Sequence, residues 1–221
     1  MYQKIKKKSL VNVTKHSGKM EGIPSISTSC ILNSRCQKRV SCDKSVCHNC
    51  FAHSYMKFRK ELREALERNY HILTERLLTK EEIASLDINA SFFRLEAFGD
   101  LNNDIQLINY VNICRYYKNT HFALWTKNVD ILIFVFSQKK YRKPRNLSLI
   151  ISSPLLNVAF PLSFVEKVNS TVHIDVVFTV YSKEFTEKNN ISINCGAKHC
   201  LSCLQCYKGH RETIFINEQL K

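Results

Sequence analysis

The chain has 221 residues, 44% of them hydrophobic and 24% charged, with ten cysteines and a formal net charge of +14 at pH 7. That length supports one sizeable core without disulfide staples, and the composition excludes a disordered, collagenous or low-complexity chain. The longest apolar run (ILIFVF, 131–136) is far short of the roughly 20 residues of a membrane-spanning helix, and no apolar stretch follows the basic start as in a signal peptide, so a cytoplasmic protein with no membrane partner is expected.

In chain order, PSISTSC (24–30) reads as a short strand ending at the first cysteine. From residue 45 to about 78 one long amphipathic helix is expected, with Leu62, Ala65, Leu66, Tyr70, Ile72 and Leu73 at helical spacing. FFRLEAFGD (92–100) is a strand that stops at a glycine turn. NDIQLINYVNICRYYKN is a helix with Asn103 or Asp104 as its cap. HFALWTKN (121–128) is a strand, VDILIFVFSQKKYR a helix, and NLSLIISSP (146–154) a strand closed by proline. PLSFVEKVN is a short helix, IDVVFTVYS (174–182) a strand, and a sixth strand is expected just ahead of the second cysteine group. This alternation predicts an α/β fold with a parallel sheet. Each strand ends in polar residues, and α/β folds gather their sites beyond the carboxyl ends of strands. The expected architecture is therefore a partial (βα) barrel of about five or six parallel strands, with cysteine-rich metal-binding loops at its C-terminal face. Three regions follow: a basic N-terminal segment (1–21), the partial barrel (22–190, with cysteines between 30 and 50), and a C-terminal cysteine-rich metal-binding segment (191–221).

Nine cysteines fall in two groups: Cys30, Cys36, Cys42, Cys47 and Cys50, then Cys195, Cys200, Cys203 and Cys206. In a reducing compartment such density points to metal rather than disulfides. Thiolates suit iron–sulfur clusters and zinc. The closely spaced tail cysteines favour a four-iron cluster, with zinc as the alternative metal. His48 and His53 stand beside the first group as second-rank ligand candidates, and Cys114, alone in a helical pattern, reads as a core residue. The charge, with a pI near 9.4, favours contact with nucleic acid or a nucleotide, the basic runs being KIKKK (4–8) and KKYRKPR (139–145).

Strand alternation puts Arg94 and Glu96 together on an inward face, either as a structural pair or as a polar site for a ligand's amino or carboxylate group. Gly99 allows a tight turn, Asp100 offers an acceptor for a ribose or amino group, and Lys127 ends the third strand within reach of an anion. Ser152 and Ser153 are candidates for phosphate or ribose. Trp125 and Tyr181 are candidates for stacking, with core packing the preferred role for Trp125.

SISTSC, VCHNCFA, LREALERNY, RLEAFGDLNN, FALWTKN, NLSLIISSP, FTVYS, INCGAKHC and INEQLK occur in an order that resembles the phage "gene product eighty-eight" family, from about Gly22 to the C-terminus. That resemblance implies a phage or mobile-element source and no defined activity. More distantly, cysteines after a first strand, an acidic glycine motif after a second and a terminal cysteine group are similar to radical S-adenosylmethionine enzymes with an auxiliary iron–sulfur cluster. Carried over, Cys42, Cys47 and Cys50 would ligate the cluster, Glu96 would bind the amino group of S-adenosylmethionine, and an external electron donor would be needed. The spacing departs from the family pattern (C-x4-C-x2-C, with two extra cysteines upstream), and the GGEP motif is absent. The expected function is radical S-adenosylmethionine-like chemistry, on a nucleotide or nucleic acid, by an iron–sulfur protein; the rivals are a metal-stabilised nucleic-acid-binding protein and an iron–sulfur electron carrier.

Overall fold

The computed structural model describes residues 9–220, so the basic run 4–8 lies outside the described residues. Six strands form one sheet: β1 (Ser25–Ile26), β2 (Phe92–Leu95), β3 (His121–Thr126), β4 (Leu147–Ser152), β5 (Val176–Tyr181) and β6 (Ile214–Gln219). They lie side by side in chain order, and every neighbouring pair is parallel. Because the order never reverses, crossovers that follow the usual right-handed rule put the helices on one face of the sheet. This is the winding of a (βα) barrel left open between β1 and β6, and not of a doubly wound sheet, whose strand order reverses.

Alternation along the strands divides the core. Phe93, Leu95, Phe122, Leu124, Leu149, Ile151 and Val177 pack under the helix layer. Ala123, Ile150, Val176, Phe178, Val180 and Ile216 face the other way. All six residues of β4 and all six of β5 are buried, as strands covered on both faces require.

The helices begin where polar caps stand. Asn33 accepts from the Arg35 and Cys36 N–H groups at the start of α1 (Ser34–Val40). Thr79 and Glu82 make a capping box on α4 (Lys80–Ala84). Asn103 caps α5 (Asp104–Tyr116), so that cap falls on one of the two residues expected. The helices α6 (Val129–Phe136) and α7 (Leu162–Asn169) occupy their predicted places. Ser182 caps α8 (Lys183–Asn189), which the sequence reading left out.

Two expectations are corrected. The long helix from residue 45 is three pieces: a 3-10 turn (Val46–Asn49), α2 (Phe51–Phe58) and α3 (Lys60–Glu75). Arg59 is non-helical between the last two (φ −121°, ψ 76°). The buried face of α2, Ala52 and Met56, would continue through Arg59 and Arg63 at helical spacing. The buried face of α3, carrying Ala65, Leu66, Asn69 and Leu73, is displaced from it by about a quarter turn. The break lets both apolar faces pack. The sixth strand, in turn, follows the second cysteine group instead of preceding it. Residues 191–194 form no strand, and the polar Asn194 and Cys195 backbones donate instead to the Asn217 carbonyl of β6 (3.2 and 3.1 Å).

That placement decides what covers the open face of the sheet. From Cys195, beside the carboxyl end of β6, the tail crosses the sheet. The short helix α9 (Cys200–Cys203) leads to Tyr207, whose ring meets Phe92 and Trp125 (centroids 6.1 and 5.8 Å apart). At the other rim the His210 N–H donates to buried Asp175 (3.3 Å). The N-terminal segment is likewise joined to the body. Thr14 pairs with Ser25, and buried Asn69 accepts from the Asn12 N–H (2.7 Å) while donating to the Asn12 and Ser27 carbonyls (2.9 and 3.0 Å). Asn69→Ala leaves these buried backbone groups unpaired, and the expected loss is about 1–3 kcal/mol, read as a lower midpoint in urea.

Candidate functional site: a cysteine-lined cavity at the strand ends

A cavity of about 630 Å³ opens at the carboxyl ends of the strands. Cys30, Cys36, Cys47 and Cys50 line it, and so do Cys195, Cys200, Cys203 and Cys206. Cys42 is exposed and outside it. Of the first group, Cys30, Cys36, Cys47 and Cys50 thus share the cavity wall, and the expected trio Cys42, Cys47 and Cys50 is not brought together there. The α1 helix explains the change. It folds Cys36 inward behind the Asn33 cap, and Cys42 falls beyond the helix end at Ser41. His48 and His53 also lie outside the cavity lining; His48 instead meets the Val40 carbonyl (3.3 Å). Cys114 is wholly buried in the core.

The first set is knit by its neighbours. Cys30 contacts Cys50 and has Cys36 beside it, and Cys36 has Cys47 as a neighbour. The Cys30 thiol, the Ala52 and His53 N–H groups at the start of α2, and Lys127 hold the Cys50 thiol down at about 6 against the opposing effect of burial. Burial, reinforced by Asp100, pushes Cys36 well up, and the contact with Cys50 does the same to Cys30. Cys50 is thus the more readily ionised partner of the Cys30–Cys50 pair. In the second set, Cys195, Cys200 and Cys206 neighbour one another and Cys203 neighbours the latter two. Burial raises all three of those first-named thiols, Cys206 to about 12. Lys19 Nζ donates to Cys195 Sγ (3.3 Å) and pairs with Glu218 (2.9 Å).

Among the described residues, no three His, Cys, Asp or Glu side chains are grouped as ligands of a single metal ion. Zinc needs four thiolates packed around one point at about 2.3 Å. A four-iron cluster spreads its four thiolates over four metal atoms. Thiols are soft donors of the kind both metals take, and eight of them line this cavity.

The strand-end residues hold this rim together. Glu96 has a left-handed backbone (φ 61°), which breaks the alternation. Its carboxylate therefore leaves the Arg94 face and turns to Thr28 and α5, correcting the expected shared face. It accepts from the Thr28 N–H (3.2 Å) and Oγ1 (3.0 Å), from Gln106 Nε2 (2.6 Å) and from the Tyr110 hydroxyl. Burial pushes its pKa up to about 7 against these four donors, and Asp100 adds to the rise. Gly99 serves a close approach rather than a special turn: a Cβ there would stand 2.5 Å from both Glu96 Oε2 and the Thr28 carbonyl. Asp100 accepts from Thr126 Oγ1 (2.6 Å), the Leu101 and Lys127 N–H groups and Arg39 Nη1 (2.9 Å), tying α1 to the ends of β2 and β3. Ser152 and Lys127 line the cavity. Ser153 instead makes a turn, its Oγ accepting from the Leu155 N–H (3.3 Å). Tyr181 stacks on Phe185 (5.8 Å).

Arg94 lies over the Trp125 ring, 3.9 Å from its centroid, so Trp125 is a cavity-wall platform and not a plain core residue. Sequence reasoning missed His16, Lys19, Tyr207 and Glu218, which also line the cavity. His16 stacks on Phe98 (5.6 Å) and contacts Ser25 Oγ (2.7 Å). Burial, with Arg94 nearby, lowers its pKa. The sequence signal available for the tail was INEQLK, whose strand carries Glu218 to Lys19.

No helix among the described residues is long and apolar enough to cross a membrane. No curated protein and no solved structure matches the chain. The family model described as gene product 88 matches residues 3–217, and the chain belongs to the gene product 88 family.

Proposed function

We propose that this chain is an iron–sulfur protein in which Cys30, Cys36, Cys47 and Cys50 surround one cluster and Cys195, Cys200, Cys203 and Cys206 a second. The observation that carries this reading is that eight thiols, in two sets of four, line one cavity. The clusters would supply single electrons to a ligand held there. The chain's own residues enclose that ligand: Phe98 and Met20 shield it from water, and Trp125, with Arg94 over its ring, forms part of the wall. For the reaction class we infer radical S-adenosylmethionine-like chemistry. The support is topological, and it is an analogy of fold: sheet winding in one sense, cysteines directly after β1, and an acidic glycine motif directly after β2.

A nucleotide or nucleic acid is the inferred substrate. Besides the net charge of +14, α2 exposes Phe51, Tyr55 and Phe58 along one face, with Arg59 over the Tyr55 ring at 5.1 Å. Aromatic rings beside cations suit stacked bases on a single strand. Phe51 also lines the cavity, so this platform adjoins its wall.

The test is anaerobic purification with iron, sulfide and zinc analysis. About eight irons and eight sulfides per chain are expected for two four-iron clusters, with S-adenosylmethionine cleaved on chemical reduction. Stoichiometric zinc without iron overturns the cluster assignment. Iron without cleavage leaves an electron carrier.

A further inference from the structure

We propose that Arg94, Tyr207 and Trp125 form an oxyanion subsite that takes the phosphate or carboxylate group of the cavity's ligand. The inference rests on reading the cavity as a ligand chamber. Among the described residues three cations line it, Lys19, Arg94 and Lys127. Lys19 is paired with Glu218 (2.9 Å), and Lys127 stands at the end of β3 beside the first thiol set. Arg94 has no carboxylate partner among the described residues. Its Nε reaches the Glu96 main-chain carbonyl at 3.4 Å, at the long end of a hydrogen bond, and its Nη1 the Met20 sulfur at 3.4 Å, a weak acceptor. Its guanidinium lies over the Trp125 ring, and a guanidinium edge can serve an oxyanion as a fork.

The second observation concerns Tyr207. Tyr207 is 2% exposed, and its hydroxyl is the buried side-chain polar atom without a hydrogen-bond partner among the described residues. The Arg94 guanidinium lies close enough to act on it as a weak donor, without the geometry of a full hydrogen bond. A buried hydroxyl left unpaired is destabilising, as is a half-buried cation without a counter-charge. One oxyanion resolves both: it accepts from the guanidinium edge of Arg94 and from the Tyr207 hydroxyl. Trp125 backs the guanidinium, so the donors are in place before the ligand arrives.

The test uses anaerobically purified full-length protein and titration calorimetry with inorganic phosphate, adenosine monophosphate, adenosine and succinate. At least one of the anions is expected to bind, and adenosine to bind at least about tenfold more weakly than its monophosphate if phosphate is the group recognised. Succinate binding that depends on Arg94 identifies a carboxylate instead. Arg94→Gln is expected to weaken the anion about tenfold or more, with iron and sulfide per chain unchanged. Tyr207→Phe, which removes only the unpartnered hydroxyl and so spares folding, is expected to weaken it severalfold. Trp125 is the chain's only tryptophan, and its emission is expected to shift on binding in wild type but not in Arg94→Gln. Equal anion affinity in wild type and both variants overturns the proposal. So does loss of iron in Arg94→Gln with anion affinity unchanged, which would make Arg94 only the counter-charge of the tail thiolates. Calorimetry reads the anion whether or not iron is found, so a metal-free wild type overturns the cluster reading alone.

Discussion

Serine at Cys47 or Cys50 is expected to remove about half of the iron and sulfide per chain, and serine at Cys42 is expected to remove none. The reason is positional. Cys47 and Cys50 line the cavity while Cys42 is exposed outside it. A hydroxyl is a poor substitute for a soft thiolate, and Cys50 is the thiol whose proton is already loosened, by Cys30, the α2 N–H groups and Lys127. Serine at Cys200 or Cys206 should remove the other half, and a Cys50→Ser, Cys206→Ser double variant nearly all of it. Cys36 separates the two redox readings. Burial and the neighbouring Asp100 both oppose a thiolate there, so radical chemistry, which needs one iron without a protein ligand, predicts that Cys36→Ser keeps its iron. Loss of that cluster would mark a closed, four-thiolate electron-transfer centre. Iron loss in Cys42→Ser with retention in Cys47→Ser would overturn the assignment of the first set.

How far the sequence reached follows from what local patterns encode. β-branched runs with period-two or wholly apolar character gave the strands β2 to β5, because those residues meet the sheet core wherever the chain goes next. The helix break at Arg59 carries no proline or glycine. It is visible only as a phase shift between Ala52–Met56 and the face begun at Leu62, and a search for one continuous amphipathic stretch absorbs that shift. Cysteine spacing marked two groups of thiols, but not which of them share one cavity wall. That choice is made by α1, which turns Cys36 inward and leaves Cys42 outside. Glu96 was misplaced because strand alternation assumes extended backbone, and its φ of 61° removes that assumption at one residue. The partners His16, Lys19 and Glu218 come from both ends of the chain. Only the docking of the N-terminal segment and the addition of β6 bring them to the same cavity, and no local pattern records such a meeting.

The buried Glu96 gives a pH signature with a definite sign. Its carboxyl has an ordinary value of 4.5 and is pushed up to about 7 in the fold, first by burial. Below pH 4.5 the group is neutral in both folded and unfolded chains, and the native state has the full benefit of that neutral form. Between pH 4.5 and about 7 the unfolded chain gives up the proton and the folded chain keeps it, so stability falls as pH rises. Above about 7 both are ionised and the loss is complete. At 1.36 kcal/mol per unit, the loss across this window is about 3 kcal/mol. Glu96→Gln removes the titration and keeps one oxygen to accept from Tyr110 and Thr28. The stability of wild type minus that of Glu96→Gln, measured by urea unfolding at a series of pH values, is therefore expected to fall by about 3 kcal/mol between pH 4 and 7.5 and to be level on either side. A difference that stays flat across the window would mean that the four donors around Glu96 outweigh burial and hold it ionised. A fall confined below pH 4.5 cannot arise from a raised carboxyl and would assign the titration to another group. The same network bears on the site. Tyr110 and Gln106 on α5, Thr28 after β1 and Gly99 beneath it all meet this one carboxyl. The loop that carries Cys30 is thus fixed to the end of β2 through a group that titrates near neutrality, and raising the pH past 7 should loosen the rim of the first thiol set before it unfolds the sheet.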